Sequence, residues 1–244
     1  MRTVVIMQAR MGSTRLPGKL LKEVLGKPLL LYQIERLQRV TLANEIVVAT
    51  TTNPIDHTVI DFCHSKQIPV FQGSENDVLD RYFQAAKYFE AEVIVRVSGD
   101  CPLIDQQVVD KVIDFYKKNY PRFQYVSNTL ERSYPRGMDV EVFSFSALEK
   151  AATIATRPEQ REHVTPYIYQ HPELFALGNV AHHPNESHYR WTVDTIEDFQ
   201  LITAILENLY PKKPNFSMYD ILEAFKEHPE WININAHVQQ KPLT

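Results

Sequence analysis

The chain has 244 residues, 44% of them hydrophobic and 23% charged, with a formal net charge of -4. That composition suits a soluble globular protein with a sizeable core, and it lacks the basic excess of a dedicated nucleic-acid binder. Cys63 and Cys101, the two cysteines, make neither a disulfide framework nor a CxxC site, and the N-terminal stretch has no long uncharged apolar run, so the expectation is a cytoplasmic protein with no membrane or nucleic-acid partner.

The apolar run at residues 4–7 is short and bounded by a loop, which predicts a buried strand. Pro28 opens a helix through Arg39 with Leu30, Ile34 and Leu37 on one face. Proline suits a first turn, where its missing N–H had no partner anyway. A second strand is predicted at 45–49. Asn53-Pro54 reads as the cap and first turn of a helix carrying Val59, Ile60 and Cys63 inward. Strands at 68–71 and 93–97 flank a helix at 77–89, and Asp105 caps a helix through Lys117. This alternation predicts a mostly parallel sheet with helices on both faces and right-handed crossovers.

After about residue 120 the order changes. Strands are predicted at 125–128 and 138–143 without a helix between them. Helices follow at 146–155 and 158–169, strands at 174–180 and 189–193, and helices at 197–209 and 218–226. The fold class is therefore α/β, with a Rossmann-like, mostly parallel sheet flanked by helices. There is no repeat or low-complexity tract, and 211–214 is the best candidate for a minor break.

The loop after the first strand holds Arg10, Arg15 and Lys19 among Gly12, Pro17 and Gly18, and three of the chain's seven glycines fall in its first 26 residues. In an open α/β sheet, ligands bind beyond the carboxyl ends of strands. Glycines let the backbone approach a ligand, and exposed N–H groups with three cations can cradle phosphate oxygens. The loop is neither G-x-G-x-x-G nor a P-loop, because Gly12 to Gly18 is one residue too long and Leu20 stands where Ser or Thr would hold magnesium. The alternative is a solvated basic turn.

The stretch Gln8-Ala9-Arg10-Met11-Gly12-Ser13-Thr14-Arg15-Leu16-Pro17-Gly18-Lys19 resembles the signature of sugar-activating cytidylyltransferases. These include the synthetases of CMP-activated ketodeoxyoctonate and CMP-activated sialic acids, and the closest likeness is the branch named for a spore coat polysaccharide biosynthesis protein. Four further stretches resemble family segments in order: 73–82, Ser98-Gly99-Asp100-Cys101-Pro102-Leu103, Arg136-Gly137-Met138-Asp139-Val140-Glu141, and 191–199. The resemblance spans about residues 2–205.

It implies a nucleotide-diphospho-sugar transferase (GT-A-like) fold: one domain, with 1–120 as the nucleotide-binding half, 121–210 as the acceptor-binding half and 211–244 as a C-terminal extension. It further implies that Gln8, Ala9, Arg10, Gly12, Ser13, Arg15, Lys19, Asp77 and Ser98 contact the nucleotide, with Arg15, Lys19 and Asp100 catalytic. Asp100 and Asp194 would bind Mg2+, and Arg136, Asp139 and Glu141 would bind the acceptor. Related synthetases commonly pair, so the resemblance extends to a homodimer.

Each acid also has a structural reading. Mg2+ favours oxygen ligands and takes one or two carboxylates plus phosphates, which fits Asp100 and Asp194. Equally, Asp100 orders a turn and Asp194 caps the helix starting near Thr195. Asp139 and Glu141 alternate with Met138, Val140 and Val142, which gives either a half-exposed strand or a pair facing sugar hydroxyls. Asp77 at a helix start complements the dipole with no ligand present. His182, His183 and His188 read as surface histidines rather than zinc ligands. Arg157 and Arg161, four apart near His163, read as surface cations or contacts to an acidic acceptor, and Arg132, Tyr134 and Arg136 as another acceptor edge.

The leading expectation is a Mg2+-dependent nucleotidyltransferase that uses an NTP, CTP by resemblance, to activate a sugar or sugar acid, releasing pyrophosphate for surface or spore-coat polysaccharide synthesis. The rivals are a glycosyltransferase using a nucleotide-sugar donor, disfavoured by a single acid where D-x-D is usual, and a non-catalytic nucleotide-sugar-binding protein, which need not keep both acids and all three cations.

Overall fold

The computed structural model describes residues 1–240. Strand β1 (Thr3–Gln8) is central. Its residues Val4 to Met7 are fully buried, as a strand covered on both faces requires. A small ribbon follows, β2 (Glu23–Val24) and β3 (Lys27–Pro28), turned by Leu25 and Gly26 with φ of 52° and 72°. Positive φ at both turn residues matches the twist of a two-residue hairpin. The sequence reading did not anticipate this ribbon.

The main sheet continues with β4 (Glu45–Thr51), β5 (Val70–Gly73), β6 (Val93–Ser98), β7 (Tyr125–Ser127), β8 (Glu141–Ser144) and β9 (Leu177–Asn179). Its seven strands lie in the order β5-β4-β1-β6-β8-β7-β9, and β8 runs antiparallel to both neighbours. The expected mostly parallel α/β sheet is present.

Alternation along β1 feeds two cores. Val5 and Met7 face helices α1 (Leu29–Leu37), α2 (His57–Ser65) and α4 (Gln106–Asn119). Val4 and Ile6 face α3 (Val78–Tyr88) and α5 (Phe145–Ile154). Asp105 caps α4 by accepting from the Gln107 N–H at 2.7 Å, and it also accepts from the Met218 N–H at 2.5 Å.

Two predicted elements differ. The stretch predicted as a helix at 158–169 is two short helices, α6 (Pro158–His163) and α7 (Pro166–Tyr169), broken at Val164. Residues 189–193 are not a strand and make a single bridge, Arg136 to Arg190. Their apolar character reflects burial as a connector, since Trp191 is fully buried. Helix α8 (Ile196–Leu209) follows, and residues 211–240 fold back as α9 (Met218–Glu227) and α10 (Ile232–Asn235), adding Phe216, Ile221 and Trp231 to the first core. Among the described residues, no helix is long and apolar enough to cross a membrane.

Two glycines permit close approaches. A β-carbon on Gly99 would sit 2.6 Å from the Gln8 carbonyl oxygen, and one on Gly137, whose φ is +98°, would sit 2.4 Å from the Trp191 carbonyl oxygen. Gly12 has open space there. In urea unfolding, Gly137→Ala is expected to cost at least about 2 kcal/mol and Gly12→Ala less than about 0.5 kcal/mol. Equal losses would show that the 137–191 contact yields.

Candidate active site

The chain leaves β1 towards β4 on one side and later places β6 on the other. A crevice opens where such a sheet switches direction, beyond the carboxyl ends of the strands. The loop after β1 folds over it. Buried Asp56 anchors that loop by accepting from the Met11 N–H at 2.6 Å and from the Thr51 hydroxyl. Leu16 and Leu20 plug into the core, and left-handed Gly18 starts the 3-10 turn Lys19–Leu21, which points Lys19 inward. Gln33 of α1 pins the exit of β6, donating to the Ser98 carbonyl at 2.6 Å and accepting from the Cys101 N–H at 3.2 Å. The sequence marked neither Asp56 nor Gln33; a polar residue inside an otherwise apolar helix face was the available signal for Gln33.

The centre is an ion cluster. The Lys19 ammonium lies 2.9 Å from Asp100 Oδ2, 2.9 Å from Asp194 Oδ1 and 2.6 Å from the Val193 carbonyl oxygen. Asp194 also meets Arg15 at 3.1 Å and Arg190 at 2.8 Å. Burial works to lower the Lys19 pKa, but Asp100 and Asp194 outweigh it and hold the ammonium above its ordinary value. Burial likewise works to raise the Asp194 pKa, and Lys19, Arg15 and Arg190 bring it below the usual carboxylate value. Both stay charged at neutral pH.

The two acids meet because residues 189–193 run to the edge where β6 ends. The Val193 N–H and the Thr192 hydroxyl donate to the Asp100 carbonyl at 2.8 and 3.0 Å. The capping alternative for Asp194 is not used. Thr195 caps α8, and Asp198 completes a capping box. Fully buried Asp198 also accepts from Arg190 Nε at 2.9 Å, from Asn235 at 2.9 Å and from the Asp194 N–H at 2.9 Å. A divalent cation of the magnesium type suits this donor set: two carboxylates and a carbonyl that already surround a positive charge. Among the described residues no three His, Cys, Asp or Glu side chains form a metal group, so Asp100 and Asp194 would share such an ion with its phosphate ligands.

The cleft above the cluster measures about 330 Å3. Gln8, Ala9, Arg10, Gly12, Ser13, Arg15, Lys19 and Ser98 all line it, with Asp100 and Asp194. Asp77 does not. It caps α3, accepting from the Asp80 N–H at 2.9 Å, and both its oxygens are clasped by Arg161 at 2.5 to 3.0 Å. An acid at a helix start was claimed by the cap and by a cation from α6. Its neighbour Val78 and, one turn along α3, buried Arg81 reach the cleft instead.

A second cavity of about 510 Å3 adjoins it, lined by Arg136, Asp139 and Glu141 among others. The predicted acceptor residues therefore share one space, although two of them are already engaged. Asp139 holds Arg132 through two bonds of 2.6 and 2.8 Å. Glu141 is buried, paired with Arg96 and accepting from the Tyr125 and Thr165 hydroxyls at 2.5 and 2.6 Å. The alternating, half-exposed strand does not form: β8 begins only at Glu141 and is buried throughout, while Asp139 lies before it and is partly exposed. Arg136 makes no ion pair among the described residues. Burial and the neighbouring Arg132 lower its pKa, against Asp139.

The histidine loop is not purely a surface feature, since His182 is buried against the Tyr134 ring at 5.0 Å. Arg157 is exposed and donates to Gln170, whereas Arg161 is an internal tie.

A sequence profile described as Cytidylyltransferase matches residues 4–228. An uncharacterized protein of Methanocaldococcus jannaschii is 38% identical over 99% of this chain and 97% of its own length. The spore coat polysaccharide biosynthesis protein SpsF of Bacillus subtilis is 30% identical over 92% of this chain and 94% of its own. The structure of a cytidylyltransferase from Leptospira borgpetersenii superposes with a TM-score of 0.91 at 35% identity, covering 99% of this chain and all of that one. The profile spans every segment that builds the cleft, from the loop after β1 to the Asp194 turn, and the chain belongs to the cytidylyltransferase family.

Proposed function

We propose that the chain transfers a cytidylyl group from CTP to a hydroxyl of a sugar or sugar acid, in the cytoplasm, releasing pyrophosphate in a Mg2+-dependent reaction that serves surface polysaccharide synthesis. The observation that carries this reading is the Lys19 ammonium between Asp100 and Asp194, at the sheet crevice and beneath a loop of further cations.

Arg10 and Arg15 neutralise the outer phosphates, while the open space at Gly12 lets the same oxygens approach the backbone. Lys19 stands where charge builds on the leaving pyrophosphate as the bond breaks. Groups fixed before the reaction stabilise that charge without reorganising. Mg2+, held by Asp100 and Asp194, would supply charge neutralisation at the α-phosphate and acidify the attacking hydroxyl. Residues 1–120 contribute most of the nucleotide side, and the acceptor enters from residues 121–210 into the space lined by Arg136, Asp139 and Glu141. The likeness to a spore coat polysaccharide biosynthesis protein of Bacillus subtilis supports a polysaccharide role. A glycosyltransferase or a passive sugar-nucleotide sensor fits less well, because both acids and all three loop cations line one cleft.

Two experiments test the reading. In calorimetry with CTP, UTP, ATP and GTP plus Mg2+, selective CTP binding is expected, weakened at least about tenfold in Asp100→Asn; preference for another nucleotide overturns the cytidylyl assignment. Lys19→Met is expected to lower pyrophosphate release by about 100-fold or more in protein that remains folded by circular dichroism. Undiminished release would remove Lys19 from the chemistry.

A further inference from the structure

The nucleotide cleft and the acceptor cavity share two lining residues, Ser98 and His163. An attacking hydroxyl and the phosphorus it attacks must meet where those two spaces join. Of the two side chains there, only an imidazole exchanges a proton readily near neutral pH.

The backbone holds that imidazole in an unusual way. Val164, the next residue, is β-branched and fully buried, with φ 73° and ψ -57°. The Thr165 N–H donates to the His163 carbonyl at 2.9 Å. This is the strained form of the γ-turn, which β-branched residues rarely adopt. Such strain persists where the surroundings over-determine it, and it clusters at functional sites. Here the surroundings are specific. The Thr165 hydroxyl donates to Glu141 at 2.6 Å, and Arg161 ties α6 to Asp77 and to the Ala152 carbonyl. Val164 itself packs in the second core. The turn ends α6 so that His163 faces both spaces.

We propose that His163 is a catalytic residue that takes the proton of the acceptor hydroxyl. The inference rests on the cytidylyl-transfer reading. As the hydroxyl oxygen bonds to the α-phosphorus, the bond from that phosphorus to the bridging oxygen breaks, and its electron pair leaves with pyrophosphate. The hydroxyl proton passes to the imidazole and from there to solvent. Burial lowers the His163 pKa; Arg96 adds to this, while Glu162, Glu141 and Glu159 oppose it. The ring is neutral at neutral pH, as a base must be.

The first measurement is a histidine NMR titration of the full chain, with the His163 signal assigned by its loss in His163→Gln. The midpoint is expected below the ordinary histidine value of about 6.5. Binding of CTP alone should raise it by at least about half a unit, because the arriving phosphate favours the charged ring. Pyrophosphate release with Mg2+, CTP and ketodeoxyoctonate as the probe acceptor is the second. His163→Gln should lower kcat by about 100-fold, leave CTP affinity unchanged and flatten the acidic limb of the kcat/KM profile. Calorimetric CTP binding that leaves the His163 midpoint unmoved, or a variant within about threefold of wild type, overturns the proposal alone. Absence of CTP binding overturns the cytidylyl-transfer reading and this inference with it. If wild type does not convert the probe acceptor, the titration decides.

Discussion

An ammonium held 2.9 Å from each of two carboxylates joins parts of the chain that are 81 and 175 residues apart. Neither carboxylate tolerates this degree of burial without a cation, because an unpaired buried charge is far costlier than a paired one. The loop after β1, the turn after β6 and the 190–198 segment therefore hold one another in place. Behind them, Asp198 gathers Arg190, Asn235 and two backbone N–H groups. The position of Asp194 is thereby fixed by a helix cap rather than by a flexible turn. The C-terminal residues, which carry no motif, support the site through Asn235.

The sheet supplies the rest of the geometry. Parallel strands β4, β1 and β6 end together, and antiparallel β8 begins at the same edge. Glu141 at the start of β8 is thus opposite Arg96 of β6. The resulting ion pair forms part of the wall of the second cavity. The absence of a β-carbon at Gly99 lets the turn after β6 lie against the turn after β1, with a 2.8 Å bond from the Gly99 N–H to the Gln8 carbonyl.

Much of this was legible in the sequence, for physical reasons. Buried parallel strands are continuous apolar runs, so β1, β4 and β6 stood out. Cations and glycines directly after a first strand marked the loop. Asp100 and Asp194 were marked by the resemblance, since each reads equally as a turn or cap residue, and their meeting required a shared sheet edge. What failed were features decided by tertiary partners. Residues 189–193 look like a strand because burial, not pairing, selects their apolar side chains. Asp77 and Glu141 look available because sequence does not show Arg161 or Arg96 reaching them. The break at Val164 was invisible, since its strained φ is imposed by the packing around it. His163 stood out only as one residue of a cationic stretch, and the two cavities that give it a role exist only in three dimensions.

The same charges also govern how a polyanion arrives. Arg10, Arg15, Lys19 and Arg81 outnumber Asp100, Glu162 and Asp194 in the cleft by a single charge, within a chain of net charge -4. Beyond a Debye length, about 8–10 Å in physiological salt, an anion meets a molecule of its own sign. Attraction begins only at the mouth of the cleft. Capture of such an anion is therefore a short-range event, in which its oxygens compete with Asp100 and Asp194 for Lys19 and Arg15, rather than electrostatic steering across the solvent. An acidic protein with an internally neutralised cleft trades speed of encounter for discrimination at contact.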